Sequence, residues 1–142
     1  MLQVNQIFPF QESPFWQSRV AFSAVSAGFP SPADDYLEQT LNLQDLLVKN
    51  PIATYFVRIK GSSMIGAGIH DGDIVIVDRS LQPAHGKIAI VCIDSEFTVK
   101  RLAIRRGKLF VVPENENFAP LEITEETDFE VWGIVTSIIH RV

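Results

Sequence analysis

Two serines, Ser62 and Ser63, follow the apolar run TYFVRIK (54–60) and open the glycine-rich stretch GSSMIGAGIHDGD (61–73), while Lys100 stands in a second run, EFTVKRLAI (96–104). A serine hydroxyl attacks a carbonyl only when a base takes its proton, and lysine is such a base only once neutral. Burial favours the neutral amine, because it penalises the ammonium form of a group that ordinarily titrates near about 10.4. A Ser-Lys dyad therefore needs a serine at a strand end and an inward-facing lysine on a neighbouring strand. If 96–104 is extended, Thr98, Lys100 and Leu102 share one face, and Phe97, Val99 and Arg101 the other. Ser63 and Lys100 can meet those terms. Spacing alone leaves two plainer readings open: an ordinary Gly-rich loop, in which Gly66 and Gly68 only make the backbone pliable, and a solvated lysine.

Other chemistries fit less well. The glycines are not followed by Gly-Lys-Ser/Thr and a helix, so a phosphate-binding P-loop is not expected. A Ser-His-Asp triad would draw on His70, His85 or His140, but no G-x-S-x-G elbow is present. One cysteine and three histidines dispersed along the chain argue against a zinc site, and no metal or cofactor is expected. Asp71 and Asp73 flank Gly72, where turns favour aspartate anyway. Cys92 cannot form an internal disulfide, and its place in KIAIVCI reads as a buried structural thiol.

The elements that would position a dyad are strands. TYFVRIK (54–60), DIVIVDR (73–79), KIAIVCI (87–93), EFTVKRLAI (96–104), KLFVVP (108–113) and FEVWGIVTSIIH (129–140) are β-branched and aromatic. Turn-like joints separate them, among them HDGD (70–73), Asp94-Ser95, Arg106-Gly107 and ENEN (114–117). No helical crossovers lie between them, so the expected fold is mainly β: a curled antiparallel sheet or partly open barrel. Upstream, LNLQDLLVKN (41–50) predicts a short helix with Asn42 as N-cap and Asn50-Pro51 as its stop. Residues 28–33, GFPSPA, read as an extended linker, since each residue before proline is pushed out of the helical region. Residues 1–27 scatter Phe8, Phe10, Phe15, Trp16 and Phe22 among polar residues without a helical or strand period. An arm this aromatic is expected to dock on its own domain, a sister chain or a partner.

A hydrophobic content of 46% over 142 residues supports a real core in one domain plus an arm. The net charge of -5 falls wholly on residues 28–142, since the arm carries only Glu12 and Arg19. An acidic body argues against general nucleic-acid binding. The basic cluster Lys100, Arg101, Arg105, Arg106 and Lys108 is small enough to be a solvated hairpin. Val25-Ser26-Ala27 looks like a signal-cleavage site, but residues 1–23 lack a basic start and a continuous apolar run. The chain is expected to be cytoplasmic and to contain no membrane span.

The stretches GFPSPADDYLEQTLNLQDLL, ATYFVRIKGSSMIGAGIHDGDIVIVDRS, HGKIAI and EFTVKRL resemble the LexA/UmuD family of self-cleaving proteins of the bacterial DNA-damage response, from Gly28 almost to the last residue. The resemblance implies that Ser63, directly before Met64, is the nucleophile and Lys100 the general base. It implies that backbone amides at Ser62 and Ser63 polarise the attacked carbonyl, and that Ala27-Gly28 is the bond cut. It divides the chain into an arm removed by self-cleavage (1–27), a linker with a short helix (28–50) and a β-rich catalytic and dimerisation domain (51–142). The partners implied are a second copy of the chain, a UmuC-type translesion polymerase, the RecA–single-stranded-DNA filament and the replicative sliding clamp. Sequence-specific DNA binding is not expected, because residues 1–27 are too short and irregular for a helix-turn-helix. The alternatives are a non-cleaving interaction module of the same fold, a LexA-type repressor fragment and a protease acting on other chains.

Overall fold

A computed structural model describes residues 3–11, 17–21 and 38–142. Its elements are β1 (Gln3–Pro9), β2 (Gln17–Ala21), β3 (Glu38–Asn42), α1 (Leu43–Leu47), β4 (Thr54–Lys60), β5 (Ile74–Asp78), β6 (Ile88–Ile93), β7 (Glu96–Arg105), β8 (Lys108–Val112), β9 (Leu121–Ile123) and β10 (Phe129–Ile139). The chain divides into two compact units, residues 11–49 and a larger unit of residues 1–10 with 50–142.

The larger unit is built on one eight-stranded sheet in the order β1-β4-β5-β10-β6-β7-β8-β9. Every pairing in it is antiparallel. The last long strand is inserted at the middle of the sheet, where β10 joins β5 to β6. It carries a register shift against each neighbour, between Val135 and Ser137 and between Val131 and Gly133. Such irregularities bend a strand and let a long sheet curl. Gly133 is required at the second one, because a Cβ there would stand 2.5 Å from Val77 Cγ1.

Apolar residues form two clusters. One holds Val57, Ile59, Met64, Ile69, Val75, Val77, Ile90 and Val99, all essentially without solvent exposure. The other centres on Ala89, Val91, Leu102, Val111 and Ile134. Met64 and Ile69 come from the glycine-rich segment, which therefore plugs the core rather than hanging from it. Burying side chains of this size contributes about 1.5–3 kcal/mol each.

The fold is the mainly β, open antiparallel sheet expected, and the strand spans from 54 onward agree to within a residue or two. In the smaller unit, β2 and β3 pair antiparallel, Gln17 opposite Asn42, and α1 follows directly. Asn42 caps it: its side chain accepts from Gln44 N at 2.9 Å and from Asp45 N at 3.4 Å. The helix is five residues long, shorter than the 41–50 pattern, and closes when Val48 N donates to Gln44 O.

Four strands lay outside the sequence expectation: β1, β2, β3 and β9. β1 pairs with β4 from Gln3 opposite Lys60 to Pro9 opposite Tyr55. It adds backbone hydrogen bonds to a ready-made edge, and that pairing does not demand alternating side chains. Phe10 meets Phe56 edge to face at 5.8 Å, so part of the aromatic content of the arm packs on its own domain. Residues 12–16 and 22–37, including Phe15, Trp16, Phe22, the proline linker and the Ala27-Gly28 joint, lie outside the described residues. Cys92 is half-buried rather than buried, because it lies near the end of β6, opposite Phe97 and Glu130.

Candidate active site

The segment after β4 is fixed at both ends by its own aspartates. Gly61 N donates to Asp71 Oδ1 at 2.8 Å, and His70 N donates to Asp73 Oδ2 at 2.7 Å. Between these anchors, Met64 O accepts from Ala67 N and Ile69 N, giving one tight turn with Met64 and Ile69 pointed into the core. Gly66 lets this turn touch the β8–β9 connection: its N–H donates to Glu114 O at 2.6 Å, where a Cβ would meet the same oxygen at 2.7 Å. The neighbouring Asn115 Nδ2 donates to Ser62 O at 2.9 Å. Ser63 thus sits on a rigid turn and is fully buried.

Lys100 comes from the middle of β7, opposite Ala89 of β6 and one residue before the pairing with β8 begins at Arg101. Strand alternation puts Thr98, Lys100 and Leu102 on one face, and all three are buried. The lysine Nζ stands 3.2 Å from Ser63 Oγ, 2.9 Å from Thr98 Oγ1 and 3.1 Å from Val99 O. Its pKa is lowered from 10.5 to about 8, and the cause is desolvation. As an ammonium it donates to the serine oxygen; as a neutral amine it can accept the serine proton across the same distance. Arg101, the next residue, faces away and pairs with Glu114, and its Nη1 donates to Gly86 O at 2.6 Å. The basic cluster is thereby split: Lys100 is buried in the site, Arg101 braces its wall, and Arg105, Arg106 and Lys108 are exposed at the hairpin.

Lys100 and Thr98 also line an open cleft of about 250 Å³, walled by Ile93, Val111, Phe118 and Leu121. Asp94 and Glu96 add two carboxylates to its otherwise mostly apolar lining.

The structure thus brings together Ser63 and Lys100, which are separated by 37 positions in the chain. Ser62 is adjacent, with its carbonyl held by Asn115. Ala27 and Gly28 lie outside the described residues. Sequence reasoning missed Thr98, Asn115 and Glu114 as supports; only Thr98 left a signal, through its i,i+2 relation to Lys100. The histidines are also less dispersed than their spacing implies, because His70 and His140 converge on Asp73, whereas His85 Nδ1 accepts from Ile104 N at 2.9 Å elsewhere.

A mainly β domain with a buried serine on the turn after a strand, a hydroxyl–amine contact and an adjoining cleft is of the serine-peptidase-like class. The family profile of Peptidase S24-like proteins matches residues 19–136, and the chain belongs to that family. It is similar to protein MucA of Salmonella typhimurium, 48% identical over 124 residues that cover 87% of this chain and 81% of that protein. Protein ImpA of Shigella flexneri is 47% identical over 116 residues, 81% of this chain and 78% of the other. The LexA repressor of Hahella chejuensis is 36% identical over 118 residues, 82% of this chain and 58% of the repressor. The UmuD-like resemblance read from the sequence agrees with these relatives. No helix among the described residues is long and apolar enough to cross a membrane.

Proposed function

We propose that the protein is a self-cleaving serine endopeptidase of the DNA-damage response, cutting its own chain at Ala27-Gly28. The observation that carries this reading is the buried contact of Lys100 Nζ with Ser63 Oγ at 3.2 Å. Neutral Lys100 takes the hydroxyl proton, and Ser63 Oγ attacks the Ala27 carbonyl carbon. Backbone amides at Ser62 and Ser63 face the developing oxyanion. The Lys100 ammonium then returns its proton to the Gly28 nitrogen as the C–N bond breaks, leaving an ester between Ser63 and Ala27. Water, deprotonated by the same lysine, hydrolyses the ester and frees Ser63. Because the substrate is part of the chain, its effective concentration is high. The rate is then set by docking of the joint and by the fraction of neutral lysine.

On this reading the RecA–single-stranded-DNA filament stimulates cleavage by binding the cleavage-competent conformer more tightly. The trimmed chain, from Gly28 onward, works as a dimeric subunit of an error-prone translesion polymerase with a UmuC-type partner. The sliding clamp is a further partner, and the compartment is the cytoplasm. Incubation of the purified chain at alkaline pH is expected to yield a fragment beginning at Gly28, and filament addition to yield the same fragment at neutral pH. Ser63→Ala should abolish it, and Lys100→Ala should slow it by orders of magnitude. A cut that persists in both variants overturns the dyad.

A further inference from the structure

At the far end of the Ser63 segment a second polar cluster has formed that self-cleavage does not use. Asp73 stands at its centre, with its side chain 3% exposed, and each of its oxygens faces a different histidine. Oδ1 is 2.6 Å from His140 Nδ1, and Oδ2 is 3.6 Å from His70 Nδ1. The two imidazole rings lie 4.8 Å apart, tilted by 39°. One ligand atom from each of the three residues lies within 4.8 Å of the others.

Those distances are close to what one ion requires. Bonds of about 2.0–2.2 Å to nitrogen and oxygen place tetrahedral ligands about 3.4 Å apart. Rotation of two half-exposed imidazole rings closes the difference without moving the backbone. The carboxylate needs no such adjustment, because its aim is already fixed: Oδ2 accepts from His70 N at 2.7 Å, and the Asp73 carbonyl accepts from Ile59 N at 2.8 Å. A backbone donor on the carboxylate oxygen is the kind of outer support that bound ions have.

We propose that His70, Asp73 and His140 form a binding site for a divalent cation of the zinc, cobalt, nickel and copper group. Two imidazoles and one carboxylate suit those ions, whereas calcium and magnesium prefer all-oxygen sets. The rings are 47% and 46% exposed, so the ion enters from solvent and keeps at least one position for water. Its structural effect is a clamp. His140, just past the end of β10, becomes tied to the turn that closes the Ser63 segment, across 67 residues of chain.

The test is titration of the untagged full chain with Co²⁺, followed by its visible absorption, and with Zn²⁺, followed by calorimetry. One ion per chain is expected. His70→Ala and His140→Ala should each weaken binding by at least about 100-fold, more than loss of a mere outer-shell partner. His85→Ala, in the same protein, should leave binding unchanged. Zn²⁺ should raise the melting temperature of the wild-type chain and of His85→Ala, and of neither ligand variant. Absence of saturable binding, or binding that survives both His70→Ala and His140→Ala, overturns the proposal.

Discussion

Lys100 and Asp73 are both buried ionisable groups, 7% and 4% exposed, and the same segment of chain serves both. The fold treats them in opposite ways. Burial alone would raise the Asp73 pKa, but the hydrogen bond with His140, the amide of His70 and the charge of both rings outweigh it, and the carboxyl is held below its ordinary value. Lys100 receives two hydroxyls and a carbonyl, none of them negatively charged. Desolvation is left uncompensated, and the pKa falls to about 8. The difference is one of charge: Asp73 has two imidazoles beside it, whereas Lys100 has only neutral oxygens among the described residues, the environment that the proposed role as a base requires.

The largest effect expected from breaking the comparison is on cleavage. Lys100→Ala should slow formation of the Gly28 fragment by about 10²–10⁴-fold or more, the usual worth of a positioned base. Rates read by mass spectrometry would check it, and a loss below tenfold would count against the base. Lys100→Met sharpens the contrast on stability. Relieved of a buried amine whose only partners among the described residues are neutral, the fold should gain about 1–4 kcal/mol at neutral pH in urea unfolding. The sign follows from linkage: between about 8 and 10.5 the unfolded chain holds the Lys100 proton more tightly, so wild-type stability rises with pH across that window. In Lys100→Met that rise should shrink.

Asp73→Ala should do the reverse. It strands the His70 amide and should cost about 1–3 kcal/mol. The stabilisation due to Asp73 is present above its unfolded value near 3.8 and lost as pH falls through its lower folded value. The variant should therefore lose less stability than the wild type on acidification. Thr98→Val is the smallest change. Without the hydroxyl acceptor the ammonium is less favoured, so the pH midpoint of cleavage should fall by on the order of one unit. A rise in the midpoint would show that Thr98 supports the neutral amine instead.

The contrast was half legible in the sequence. Alternation in EFTVKRL placed Lys100 beside Thr98 on one face, and the resemblance selected Ser63 from two serines. The strands from 54 onward were readable because each buries β-branched residues between turn signals. β1 was not, since an edge strand is held by backbone bonds to β4 that side-chain pattern does not encode. The supports from Glu114 and Asn115 were equally hidden: ENEN reads as a turn, and only folding carries it to Gly66 and Ser62. The His70–Asp73–His140 cluster failed a count based on sequence spacing because 67 residues separate its last two members.

In the proposed mechanism, buried Lys100, with no charged partner among the described residues, activates Ser63 against the Ala27-Gly28 bond. The most direct test of this mechanism is the pH–rate profile of self-cleavage, followed through the fragment beginning at Gly28. The rate should climb tenfold per pH unit below about 8 and level off above it, as the lysine loses its proton. A rate that is flat from neutral to alkaline pH, or a profile that Lys100→Ala leaves unchanged, would contradict the account.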